Sequence, residues 1–264
     1  MYIALQEHEH ENVLRRQAGP LRGGPAMITI RLPESIYQAR GRIQNGTFQG
    51  RWHFSFDEYA DPDYVHFGPL RVFNDDTLSP GATWPLHPHR NIEVVTYCAA
   101  GEFLHADEHG RGQILRKGWV QHTTVGEGMY HSEINNRADE PMRFIQMWFM
   151  PWEQNLPPAV QQKAVEQAER TNRFLPLVSN RDSEALPIES EARVFSSFVT
   201  PGHRVSHSLA DGQGAYLYVL EGGPITLNDR SLPALAAAML TQEPRVEVAA
   251  DQEAELLLVE VKLA

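Results

Sequence analysis

Residues 81–93 read GATWPLHPHRNIE, and residues 126–135 read GEGMYHSEIN. Side chains at i and i+2 on a β-strand stand on the same face. His87 and His89 form one such pair, and His131 and Glu133 form another. On neighbouring strands with these positions inward, three imidazoles and one carboxylate meet around a common point. Pro88 stiffens the first strand between its two histidines. A single HxH is a weak signal; two such pairs in one chain, each led in by glycine, predict one mononuclear metal site in a β-barrel.

The donor set narrows the metal. Imidazole with carboxylate suits Fe, Mn, Co, Ni, Cu or Zn rather than Ca or Mg. Four protein ligands leave one or two positions of a five- or six-coordinate shell open to oxygen or to an oxygen-donor substrate.

The flanking sequence fits a barrel. VHFGPLRVF (65–73), NIEVVTYCA (91–99), GEFLHAD (101–107), GQILRKGWVQHTTV (112–125) and MRFIQMWFM (142–150) are short runs rich in β-branched and aromatic residues. Turn signals separate them at the intervals of a sandwich or barrel. PWEQNLPP (151–158) closes this unit, and AVQQKAVEQAER (159–170) suits a short helix or helical linker. A second set of strands follows from ARVFSSFV (192–199) to AELLLVEVKL (254–263). GAYLYVLEGG repeats the shape of NIEVVTYCAAGE, which predicts two copies of one barrel.

The paired motifs resemble those of the cupin superfamily, G-x5-H-x-H-x3-E followed by G-x-x-H-x3-N. More narrowly, HPHRNIEVVTY and GEGMYHSEIN resemble the pirin-family motifs HPHRGFETVTY and GxGxxHSE. RWHFSFDEYADPD (51–63), FGPLRVFNDD (67–76) and QMWFMP (146–151) share that look. The resemblance spans about residues 27–260 and is unspecific after 160. It implies an all-β bicupin with metal in the N-terminal barrel only; the chain then divides into a leader over 1–26, a metal-binding domain over 27–152, a linker with a short helix over 153–190, and a metal-free C-terminal cupin domain over 191–264. It implies the ligands His87, His89, His131 and Glu133. The cupin ligand position at Glu93 becomes a supporting group or an exchange ligand. Asn91 departs from the glycine usual after HPHR, and Cys98-Ala99-Ala100 replaces a leucine-rich segment; both bear on pocket shape.

Function follows as an expectation. Bacterial pirins are similar to quercetin 2,3-dioxygenases, which open a flavonol ring with O2. That resemblance implies a small aromatic substrate, Fe(II) as the first metal expected, and Glu133 as the base as well as a ligand. The alternative is a metal- or redox-sensing regulator that binds a protein partner without turnover. The formal net charge of −11 disfavours binding a phosphate backbone directly. One cysteine, Cys98, rules out an internal disulfide. No apolar run approaches the roughly 18 residues of a membrane span, and a cytoplasmic location is expected.

Other chemistry-bearing residues read as bland. Cys98 reads as a small core residue, and His53 and His66 as packing groups. Trp119, Trp148 and Trp152 read as core or barrel-mouth residues. His203 and His207 lie at i and i+4 in a segment that reads as strand and loop, with no partner carboxylate pair. The histidines of HEH (8–10) read as solvated tail.

Overall fold

The computed structural model describes residues 26–263. The leader expected over 1–26 lies almost wholly outside the described residues. Strands make up nearly all of the regular structure, in four sheets.

A seven-stranded sheet runs in the order Ala159–Lys163, Val120–Thr124, Glu93–Ala100, Met142–Phe149, Leu70–Leu78, Gly46–Trp52 and Tyr37–Ile43. One of its faces closes over a four-stranded sheet of Thr83–His89, Met129–Asn135, Phe103–Asp107 and Ile114–Leu115, which makes the first barrel. The second barrel repeats the plan. Its six-stranded sheet contains Gln213–Gly222 and Ala254–Lys262, and its four-stranded sheet contains His203–Ser208 and Arg245–Ala250. This is a double cupin architecture.

The two large sheets pack against each other through a continuous core. Phe73, Tyr97 and Met147 from the first meet Tyr216, Tyr218 and Leu257 from the second, all fully buried. Each such side chain contributes about 1.5–3 kcal/mol by leaving water. The Leu70–Leu78 strand shows how the alternation is used. Phe73 and Asp75 turn toward the second barrel, where Phe73 packs on the Tyr216 and Tyr218 rings and Asp75 receives the Tyr218 hydroxyl at 2.6 Å. Asn74 and Asp76 turn the other way and line the cavity of the first barrel. The second barrel's own interior is filled by aliphatic and aromatic groups, among them Phe195, Val205, Leu217, Val246 and Leu256.

Two segments pair away from their neighbours in sequence. Met27–Arg31 pairs antiparallel with Ala237–Thr241 in the second barrel. Ala159–Lys163 pairs antiparallel with Val120–Thr124 in the first. The helix expected over 159–170 is therefore not formed. Its first half is an edge strand, and its second half is a single 3-10 turn, Gln167–Arg170, with a reciprocal capping box between Glu166 and Glu169. A free edge at Val120–Thr124 offered ladder hydrogen bonds that outweighed the weak helical preference of the AVQQK run.

Candidate metal centre

The Thr83–His89 and Met129–Asn135 strands are hydrogen-bonded neighbours, with His131 directly opposite His87. His87, His89 and His131 converge, each offering a ring nitrogen, and those atoms lie within 4.8 Å of one another. It is the only such cluster of histidines, cysteines or carboxylates among the described residues.

The turns that deliver these strands touch each other. The Asn91 backbone N–H donates to the Gly126 carbonyl at 2.8 Å. Asn91 has φ of 54°, in the left-handed region where glycine is usual and asparagine is among the best-tolerated alternatives. Its side-chain Oδ1 also accepts the Asn155 backbone N–H at 2.8 Å. The sequence departure at Asn91 therefore keeps the turn and adds a tether. At Gly126, φ is 56°, and a Cβ would lie 1.8 Å from the Leu156 carbonyl oxygen.

Hydrogen bonds set the protonation of each ring. His87 Nδ1 lies 2.8 Å from the Pro85 carbonyl, which can only accept, so the proton is on Nδ1 and Nε2 carries a lone pair. His105 Nδ1 lies 3.3 Å from the Arg111 carbonyl, which places its proton there too. Burial holds His105 neutral at ordinary pH, so its Nε2 accepts from His131 Nδ1–H across 2.9 Å. His131 Nε2 is then a lone pair as well, 3.1 Å from His87 Nε2. His89 Nε2 is buried with no partner. Burial lowers the pKa of all three, His89 to about 3. Lone pairs on His87 and His131, with the unpartnered His89 Nε2 beside them, are best satisfied by a cation. This donor set fits a divalent transition metal.

His105 is the residue that sequence reasoning missed. It stands on the inward face of Phe103–Asp107, which it shares with Phe103 and Asp107, all three buried. Gly112 lets the following loop reach it, since a Cβ there would lie 2.6 Å from His105 Nδ1. Asp107 accepts the Arg111 and His109 backbone N–H groups at 2.6 and 2.9 Å, which shapes the loop that presents the Arg111 carbonyl.

Glu133 lies beyond the histidine cluster and lines the same cavity as His87 and His89. Trp148 Nε1 donates to Gln146 Oε1 at 3.0 Å, which turns the Gln146 amide nitrogen toward Glu133 Oε1. Burial raises the Glu133 carboxyl to about 7, against the opposing pull of that amide. The cavity is about 440 Å³, with Phe56, Trp84 and Trp148 among its walls. Trp148 also packs edge-on against His89, ring centres 4.7 Å apart.

The remaining candidates fall elsewhere. Glu93 is fully buried and accepts from His122 at 2.7 Å, Thr124 at 3.1 Å and the Glu189 backbone N–H at 3.3 Å. It braces the barrel, and its partners are outside the histidine cluster. His53 bonds to the Tyr216 hydroxyl at 2.6 Å in the interface between barrels. His66 contacts the Gly68 carbonyl. Burial pushes the Cys98 thiol up to about 12, which makes it a poor nucleophile. Trp119 packs into a core cluster, and Trp152 is exposed. His203 is exposed beside Thr200, and His207 bonds Glu260 at 2.5 Å.

Comparison with known proteins places the fold in a family. Residues 35–149 match the family model Pirin, and residues 177–261 match the model described as Quercetinase C-terminal cupin domain. A Pseudomonas aeruginosa protein named "Putative quercetin 2,3-dioxygenase PA1210" is 37% identical, over 84% of this chain and 95% of its own length. A quercetin 2,3-dioxygenase of Escherichia coli K12 is 27% identical, over 83% of this chain and 94% of its own. The crystal structure of the bacterial pirin YhhW from Escherichia coli in complex with nickel(II) superposes with a TM-score of 0.81 at 25% identity, covering 90% of this chain and all of that one.

Proposed function

The chain belongs to the pirin family, and on that premise we propose that it is a metal-dependent dioxygenase of the quercetin 2,3-dioxygenase type. His87, His89 and His131 supply the nitrogen ligands. Glu133 is the fourth ligand and the base. The observation that carries this reading is the convergence of ring nitrogens from His87, His89 and His131 beside an aromatic-walled cavity large enough for a flavonol-sized molecule.

When bound, the metal would stabilise the oxyanion of a coordinated hydroxyl and provide a place for O2. The chain's residues do the rest. Phe56, Trp84 and Trp148 bind a flat ring by apolar contact. Glu133, poised near neutrality, accepts the proton that the hydroxyl releases. Gln146 holds one carboxylate oxygen and leaves the other for the roles of ligand and base. Fe(II) remains the first candidate, and nickel is supported by the YhhW complex.

A second reading draws on a different observation. Leu86 and Tyr130 are 58% and 52% exposed, each adjacent in sequence to a cluster histidine. Such a surface would suit a regulator that binds a protein partner according to metal state. Metal content and O2 uptake with quercetin separate the two. Stoichiometric metal with O2 uptake that disappears in His89→Ala supports the dioxygenase. Stoichiometric metal with no uptake moves the assignment to the regulator.

A further inference from the structure

The cavity holds a second carboxyl that metal binding does not use. Asp76 is 5% exposed and lines the cavity together with Asn74 and Glu133. Its side chain has one hydrogen bond among the described residues, from Trp52 Nε1 to Oδ1 at 3.2 Å. It has no ion pair among them, although Arg42 lines the same cavity. Its neighbour Asp75 is the contrast. That carboxylate takes two bonds of 2.7 Å from Arg143 and one from Tyr218. The fold therefore satisfies one carboxyl fully and leaves the next facing the cavity.

The position is built for it. Gly50 stands directly across the ladder from Asp76, and a Cβ there would lie 2.1 Å from Asp76 Oδ1. A buried carboxyl with no cation is costly unless it is neutral or serves a ligand. Burial and the nearby Asp75 and Glu133 charges hold Asp76 well above the usual carboxylate range, while the Trp52 bond pulls the other way. A neutral acid is a hydrogen-bond donor.

We propose that Asp76 is a recognition residue whose side chain hydrogen-bonds an oxygen substituent of the bound aromatic molecule, remote from the oxygen held at the histidines. The ligand class is a planar aromatic with two oxygen functions at separate points of its frame. This rests on the reading of the cavity as a flavonol-type site.

The test compares two probes on the full chain loaded with Ni(II) under anaerobic conditions. Quercetin and 3-hydroxyflavone share the 3-hydroxy-4-keto unit, and only quercetin carries the further hydroxyls. Affinity is read from quenching of tryptophan fluorescence. Wild type should prefer quercetin. Asp76→Leu, which keeps size and removes the donor, should lower that preference about tenfold, and Asp76→Asn, which keeps a donor, should retain it. Gly50→Ala keeps the carboxyl but crowds both Asp76 Oδ1 and its Trp52 partner, and should also lower the preference, so the test survives if Asp76→Leu does not fold. An unchanged preference in Asp76→Leu and Gly50→Ala, or a loss in Asp76→Asn as large as in Asp76→Leu, overturns the proposal. Failure of both probes to bind wild type instead sinks the flavonol reading itself.

Discussion

His87 Nε2 and His131 Nε2 face each other across 3.1 Å, and the partners of their far nitrogens assign no proton to the space between them. Each ring has its proton on the far nitrogen, fixed by Pro85 in one case and by His105 in the other. That arrangement is repulsive in the free protein and attractive around a cation. Metal binding should therefore raise thermal stability, with the gain growing as the free metal concentration rises above its Kd. A melting curve with and without one equivalent of Ni(II) or Fe(II) checks this, and His89→Ala should abolish the shift.

Removing His105 should weaken the metal without removing a ligand. His105→Phe fills the space but cannot accept from His131, so that ring is free to take the other tautomer. Loss of such a supporting group typically lowers metal affinity about 10–100-fold. Titration calorimetry reads the change. Affinity within a factor of about two of wild type would show that His131 orients without help.

Glu133 makes a pH prediction for the metal-free protein. Its carboxyl titrates near 7 when folded and near its ordinary 4.5 when unfolded. Between those values the folded state holds the extra proton. Stability contributed by this group is therefore full below about 4.5, falls as pH rises to 7, and is level above. Glu133→Gln should cancel that slope and be more stable than wild type at pH 8 by on the order of 1–3 kcal/mol. Parallel slopes from pH 5 to 8 in both proteins would refute it.

The turns beneath the site have distinct tolerances. Asn91→Gly should cost only the Asn155 tether, a fraction of a kcal/mol to about 1. Asn91→Val puts a β-branched residue in the left-handed region and should cost roughly 1–2 kcal/mol or more. Gly126→Ala should be worse than either, because its Cβ meets the Leu156 carbonyl. Urea midpoints of the three variants give the order.

At the interface between barrels, Phe73→Ala should remove about 3–5 kcal/mol. The loss should appear as a single lowered transition if the barrels unfold together. Two separated transitions would show that the barrels are independent units.

Much of the site was legible because strand periodicity is rigid. HPH and HSE each put two donors on one face, and the sequence spacing placed them inside. His105 was hidden for a plain reason. A single histidine in FLHAD has no sequence partner, and its role depends on the register that sets Glu133 opposite it and on the Arg111 loop. Asp76 was hidden in the same way, since NDD does not say which carboxyl meets Arg143. The fold was legible as two β units. The edge strand Ala159–Lys163 was not, because pairing at a free edge is decided by a distant strand rather than by its own composition.

The pairing of Met27–Arg31 with the second barrel and of Ala159–Lys163 with the first has a consequence for synthesis. The first strand of the described fold cannot find its partner until residues 237–241 have left the ribosome. The histidine barrel, by contrast, has all its strands once residue 163 is made. A nascent chain can thus assemble its metal pocket early, while its opening strand stays unpaired until almost the whole protein exists.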